Sequence, residues 1–145
     1  MKSIISAIPR LRERSSGDRE PPAHRYQDLT ITVERHGRTL VVAVDGDVDL
    51  GTAPMLRQAL DAALSRTPRR IVVDLSLVRF LNSVGLGVLL DAHRRAAPDT
   101  DLRLVSTTRA TWRPLELTRA HEVLAIHASR AAAMAAPRWP VAETR

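Results

Sequence analysis

From Asp28 onward the chain alternates: Leu29, Ile31 and Val33 are separated by Thr30 and Thr32, the period-two pattern of a strand with one buried face. Leu40-Val41-Val42-Ala43-Val44 follows across His36-Gly37-Arg38, and glycine between two such runs predicts an antiparallel hairpin. The polar stretch Asp45 to Thr52 reads as a loop. Pro54 fits the first turn of a helix capped by Asp49 or Thr52. Leu56, Ala59, Leu60, Ala63 and Leu64 recur at helical spacing, predicting an amphipathic helix with one face on a core, and Pro68 ends it.

Ile71-Val72-Val73-Asp74-Leu75 predicts a buried strand, and apolar positions from about Val84 to Ala97 predict a second helix closed by Pro98. A strand over Leu102 to Val105, a short helix around Thr111 to Thr118, a β-like run from Val123 to His127 and an Ala-rich helix over 129–136 complete the pattern. Strands alternating with helices imply parallel strands joined by crossover helices. The predicted fold is therefore α/β: a small single-domain mixed β-sheet with crossover helices, opening on an antiparallel hairpin and continuing in parallel strands. One domain fits the length of 145 residues, and it is assigned to residues 27–136. Residues 1–26, polar, basic and broken by Pro9, Gly17, Pro21 and Pro22, read as a disordered N-terminal tail. Residues 137–145 read as a flexible C-terminal tail, with Trp139 exposed or docked on a partner.

Composition narrows the function classes. With no cysteine, disulfides, thiol chemistry and zinc sites built on thiolates are excluded. No run approaches the ~20 apolar residues of a membrane span. Ile4-Ile5-Ser6-Ala7-Ile8 falls short of a secretory core of about 7 to 15 apolar residues, so a cytoplasmic location is expected. The net charge of +6 raises nucleic-acid binding, but half of that surplus belongs to residues 1–26, and 3% aromatic content leaves little stacking surface. No nucleic-acid partner is expected. A weaker alternative is that Ile4, Ile5, Ile8 and Leu11 form one face of an amphipathic membrane anchor.

The candidate chemistry lies in Leu81-Asn82-Ser83-Val84-Gly85-Leu86-Gly87, where Ser83 stands between a predicted strand and a predicted helix. Ser83 or Asn82 suits the N-cap. A phosphate there would meet free amides and the positive end of the helix dipole. Leu81 occupies the place where a nucleophile elbow needs its first glycine. Gly85 and Gly87 are not followed by the Lys-Ser or Lys-Thr of a phosphate loop. His36, His93, His121 and His127 are scattered, with His93 read as a solvated helix residue. No catalytic residue, metal site or cofactor is expected.

The order of elements, Asp45-Gly46-Asp47-Val48-Asp49 before the first helix, Val72-Val73-Asp74-Leu75-Ser76, and Phe80 to Leu89 together resemble the STAS domain of bacterial anti-sigma factor antagonists. Arg103-Leu104-Val105 followed by Leu115-Glu116-Leu117-Thr118 resembles the family's closing half. The resemblance implies a binding switch without catalysis of its own. The unphosphorylated domain would sequester an anti-sigma factor with a histidine-kinase-like ATPase fold, and phosphorylation at the second helix would release it. A serine phosphatase is a second candidate partner. Ser83 is the candidate acceptor, and Asp47, Asp49, Thr52, Asn82, Val84, Gly85 and Leu86 are the candidate partner-binding residues, with exposed Val84 and Leu86 supplying contact area. Asp47, Asp49 and Ser83 are expected to share one surface, because the ends of adjacent parallel strands cluster. The chain departs from the family pattern at Asn82, where an acid normally stands, and at Val84, where a second hydroxyl does. The alternative is accordingly a constitutive, unphosphorylated STAS adaptor in a stressosome-like scaffold or beside a transporter ATPase.

Overall fold

The computed structural model describes residues 2–7, as backbone, and 29–137. One six-stranded sheet runs in chain order, β1 to β6. Its strands are β1 (Lys2–Ala7), β2 (Leu29–His36), β3 (Thr39–Val48), β4 (Arg70–Leu81), β5 (Asp101–Val105) and β6 (Ala125–His127). The helices are α1 (Ala53–Ser65), α2 (Ser83–Ala96), α3 (Arg109–Leu117) and α4 (Arg130–Ala135), with a 3-10 turn at Ala120–Glu122. β1–β2 and β2–β3 pair antiparallel; β3–β4, β4–β5 and β5–β6 pair parallel. The mixed sheet with crossover helices expected from the sequence is the sheet observed.

Alternation sorts the strands' side chains onto two faces. Leu29, Ile31, Val33, Leu40, Val42, Val44, Ile71, Val73, Leu75, Leu102 and Leu104 form the main core with Leu56 and Leu60 of α1, Leu86 and Leu89 of α2 and Leu115 of α3. The opposite face carries Val41, Val72 and Val105, covered by Ala133 and Met134 of α4. So short a helix buries little apolar area, and polar bonds hold it down. The Arg103 guanidinium, 2% exposed, donates to the carbonyls of Ala133 at 2.7 Å, Ala136 at 2.6 Å and Pro137 at 2.8 Å, and to Asp101 at 2.8 Å. Arg70 donates to the Met134 carbonyl at 2.9 Å. The bonds to Ala133 and Met134 satisfy carbonyls that a helix's last turn leaves open, and those to Ala136 and Pro137 extend the hold past it. At the other end of α4, Arg130 donates to Asp74 at 2.9 Å.

Three expectations about elements need correction. Residues 2–7, assigned to a disordered tail with a helical apolar face, form a strand antiparallel to β2; residues 8–28 and 138–145, with Trp139, lie outside the described residues. The polar stretch from Asp45 is strand as far as Val48, because β4 continues to Leu81 and supplies backbone partners for Asp45 to Val48. His93 is half-buried on α2, and burial pushes its imidazole below the ordinary value.

Candidate functional site

The loop between β3 and α1 is bracketed by its own side chains. An Asp49 carboxylate oxygen accepts the amides of Gly51 and Thr52, each at 3.0 Å. The Thr52 hydroxyl accepts the Asp49 amide at 3.0 Å and donates to the Asp47 carbonyl at 2.7 Å. Thr52 stands at the N-cap of α1, yet its hydroxyl is spent on the loop, not on the helix amides. The bracket fixes how β3 turns into α1 and leaves Leu50 at its tip, 71% exposed.

The second segment enters from β4. The Asn82 amide donates to the Val48 carbonyl at 3.1 Å, which ties the start of α2 to the end of β3. Asn82 is the N-cap: its side-chain oxygen accepts the amides of Val84 at 3.1 Å and Gly85 at 3.0 Å. Those amides, expected to be free for a phosphate, are already partnered. Ser83 is left as the first helical residue, exposed, and its hydroxyl makes no hydrogen bond among the described residues. Gly85 lets α2 approach so closely that a Cβ there would lie 2.4 Å from Val48 Cγ1 and 3.0 Å from Leu81 Cδ1.

Asp47, Asp49 and Ser83 therefore stand at one end of the sheet: Asp47 faces Phe80 and Val48 faces Leu81 in the β3–β4 register. Val84 is exposed. Leu86 is not. At 3% exposure it belongs to the core, because its helical position turns inward two residues after Val84, and it cannot supply contact area. Thr52 and Gly85 are buried too and shape the surface from beneath.

Exposed apolar residues of β4 lie at the same end of the sheet. Phe80 is 50% exposed, and Leu77 is exposed as well. Leu77 faces Asp45 and Phe80 faces Asp47 in the β3–β4 register, and Leu50 and Val84 add exposed apolar side chains on the loop and the helix start at that end. The signal was present: Leu77-Val78-Arg79-Phe80-Leu81 places an arginine within a strand and the chain's one phenylalanine at its end. An open groove of about 430 Å³, lined by Asp45, Ser76, Leu77, Val78, Arg79, Thr108 and Ala110, borders the same end of the sheet. Among the described residues no group of acids and histidines could hold a metal ion, and no helix is long and apolar enough to cross a membrane.

A mixed sheet with crossover helices, opening on antiparallel strands and presenting an exposed serine at a helix start, defines a small α/β domain. The STAS domain profile matches residues 30–133, and the chain belongs to that family. It is 34% identical over 89 residues to the anti-sigma-F factor antagonist RsfB of Mycobacterium tuberculosis, covering 61% of this chain and 73% of that protein. The crystal structure of an anti-sigma factor antagonist from Mycobacterium paratuberculosis superposes with a TM-score of 0.72 at 36% identity, covering 74% of this chain and 92% of that one. A sulfate transporter family protein from Wolinella succinogenes shares the fold, with a TM-score of 0.60 at 17% identity, covering 80% of this chain and 93% of that one.

Proposed function

We propose that this chain is an anti-sigma factor antagonist. Unphosphorylated, it binds an anti-sigma factor of histidine-kinase-like ATPase fold through Asp45 to Thr52, the end of β4 and the first turn of α2. Phosphorylation of Ser83 by that partner ends the association. A serine phosphatase that resets Ser83 is the second partner in this scheme, and the cytoplasm is its setting.

The observation that carries this reading is the unpartnered Ser83 hydroxyl beside a filled helix cap. A phosphate there adds about −1.5 to −2 charges. With Asn82 holding the amides of Val84 and Gly85, those two donors cannot neutralise it. Its charge stays on the surface beside Val84, at the end of the sheet that carries Asp47 and Phe80, where desolvation and repulsion oppose docking. The names of the relatives that share over a third of their aligned residues support the antagonist role itself.

One observation favours a second reading, a constitutive adaptor. Val84 fills the position of the family's second hydroxyl and is itself exposed, which suits a surface that is never switched. A pulldown from the native host with wild type, Ser83→Ala and Ser83→Asp separates the two, read by mass spectrometry of partners and of Ser83. Capture of an anti-sigma factor by wild type and Ser83→Ala but not Ser83→Asp supports the switch. Equal capture by all three, with no phosphate on Ser83, overturns it in favour of the adaptor.

A further inference from the structure

The register of β4 against β3 slips twice. Asp74 faces Ala43 and Leu77 faces Asp45; further on, Val78 faces Gly46 while Phe80 faces Asp47. Arg79 is the extra residue of the second slip, a β-bulge, which bends a strand and re-aims a side chain. Gly46, opposite, has a φ of 131°, a conformation that glycine adopts without strain. The bulge breaks the alternation, so that Arg79 and Phe80 are exposed in succession.

The Arg79 guanidinium lies 3.9 Å from an Asp45 carboxylate oxygen and 3.7 Å from one of Asp47. Among the described residues it donates no hydrogen bond, and its side chain is 62% exposed. One cation thus spans two anions at separations that screen charge without the short, directional contacts that fix geometry. The triad keeps a net charge of −1, on a chain that carries +6 overall.

Resting on the partner surface proposed above, we infer that Arg79 is an internal stand-in for a basic side chain of the anti-sigma factor. It screens Asp45 and Asp47 in the free protein and is displaced when that residue docks. The partner's contact segment then carries an Arg or Lys next to an apolar residue, the one for the aspartates and the other for Phe80 and its neighbours. A partner with an acid at that point would meet Asp45 and Asp47 and be rejected, which makes Arg79 and the aspartates specificity-determining residues.

The test is titration calorimetry of the full chain with the purified anti-sigma factor that the host pulldown captures, at low and high salt. Arg79→Ala should bind about two- to fivefold more tightly, the range of an exposed ion pair, and its affinity should fall more steeply with salt. Asp47→Ala should bind more weakly than wild type. If Arg79→Ala binds more weakly or equally while Asp47→Ala is impaired, the stand-in is wrong and the surface survives. If both variants bind as wild type does, the surface itself is wrong, and the stand-in falls with it.

Discussion

The side-chain oxygen of Asn82 lies 3.0 Å from the amide nitrogen of Gly85 and accepts its hydrogen, so the helix that presents Ser83 is capped by the residue just before it. Replacing Asn82 by Ala should destabilise the protein by about 1 kcal/mol, the usual cost of a lost cap. Asn82→Asp, which keeps the acceptor oxygen and suits the helix dipole, should not. Urea denaturation measures both. Equal losses would show that the amide nitrogen of Asn82, and not its oxygen, matters.

Gly85 and Gly87 sit two residues apart on α2 and should respond oppositely to Ala. At Gly85 the new methyl collides with Val48 and Leu81, and overpacking a tight core costs about 1–3 kcal/mol. At Gly87 nothing lies within 4 Å, and Ala should stabilise the helix by about 0.4–1 kcal/mol. Thermal melts of the two variants check the contrast; a destabilised Gly87→Ala would refute the packing assigned to this turn.

Much of this architecture is legible in the chain. The alternation at Leu29, Ile31 and Val33 and the helical spacing from Leu56 to Leu64 give the core-facing residues directly, because burial of one face imposes its own period. The site is legible only in part. The Ser83 position follows from the strand-to-helix junction, but a β-bulge leaves no period in one sequence, so the outward turn of Arg79 and Phe80 is signalled by residue type alone, an arginine within a strand and a phenylalanine at its end. Leu86 misled for a related reason: near a helix start, the inward direction depends on which residue is the cap, and either Asn82 or Ser83 fitted. The pinning of α4 depends on Arg103 and Asp101, which read as strand-flanking charges until the helix carbonyls stand beside them.

Arg103 makes most of the bonds that hold the C-terminal end of α4 to the sheet. Lys cannot reproduce its fork of donors, so Arg103→Lys should cost about 2–4 kcal/mol through carbonyls and a carboxylate left with poorer partners. Hydrogen exchange should rise at Ala133 and Ala136, whose amides are bonded within α4, before it rises in α1. Uniform acceleration across the protein would contradict a local role.

Asp74 contributes pH-dependent stability. Burial pushes its carboxyl up, but hydrogen bonds from the Ser76 hydroxyl and amide and from Arg130 outweigh burial and hold it below the ordinary value. A depressed carboxylate stabilises the fold fully above the unfolded value of about 4 and loses that contribution as pH falls through the lower folded value. Asp74→Asn should be about 1–3 kcal/mol less stable at pH 7 and should show a flatter decline below about pH 4. An unchanged acid slope would assign that decline to other carboxylates.

The proposed partner surface has a rival on the same molecule. Trp112, Leu117 and Val123 are also exposed, at 37%, 68% and 55%, on α3 and the turn after it, whereas Phe80 and Val84 lie within three residues of Ser83 in the chain and Leu50 lies on the loop that follows β3. Hydroxyl-radical footprinting of the purified chain, with and without its captured anti-sigma factor, reads both patches in one measurement. Loss of oxidation at Leu50, Phe80 and Val84, with Trp112, Leu117 and Val123 unchanged, is the result predicted for docking at the Ser83 surface. Protection confined to Trp112, Leu117 and Val123 would contradict it.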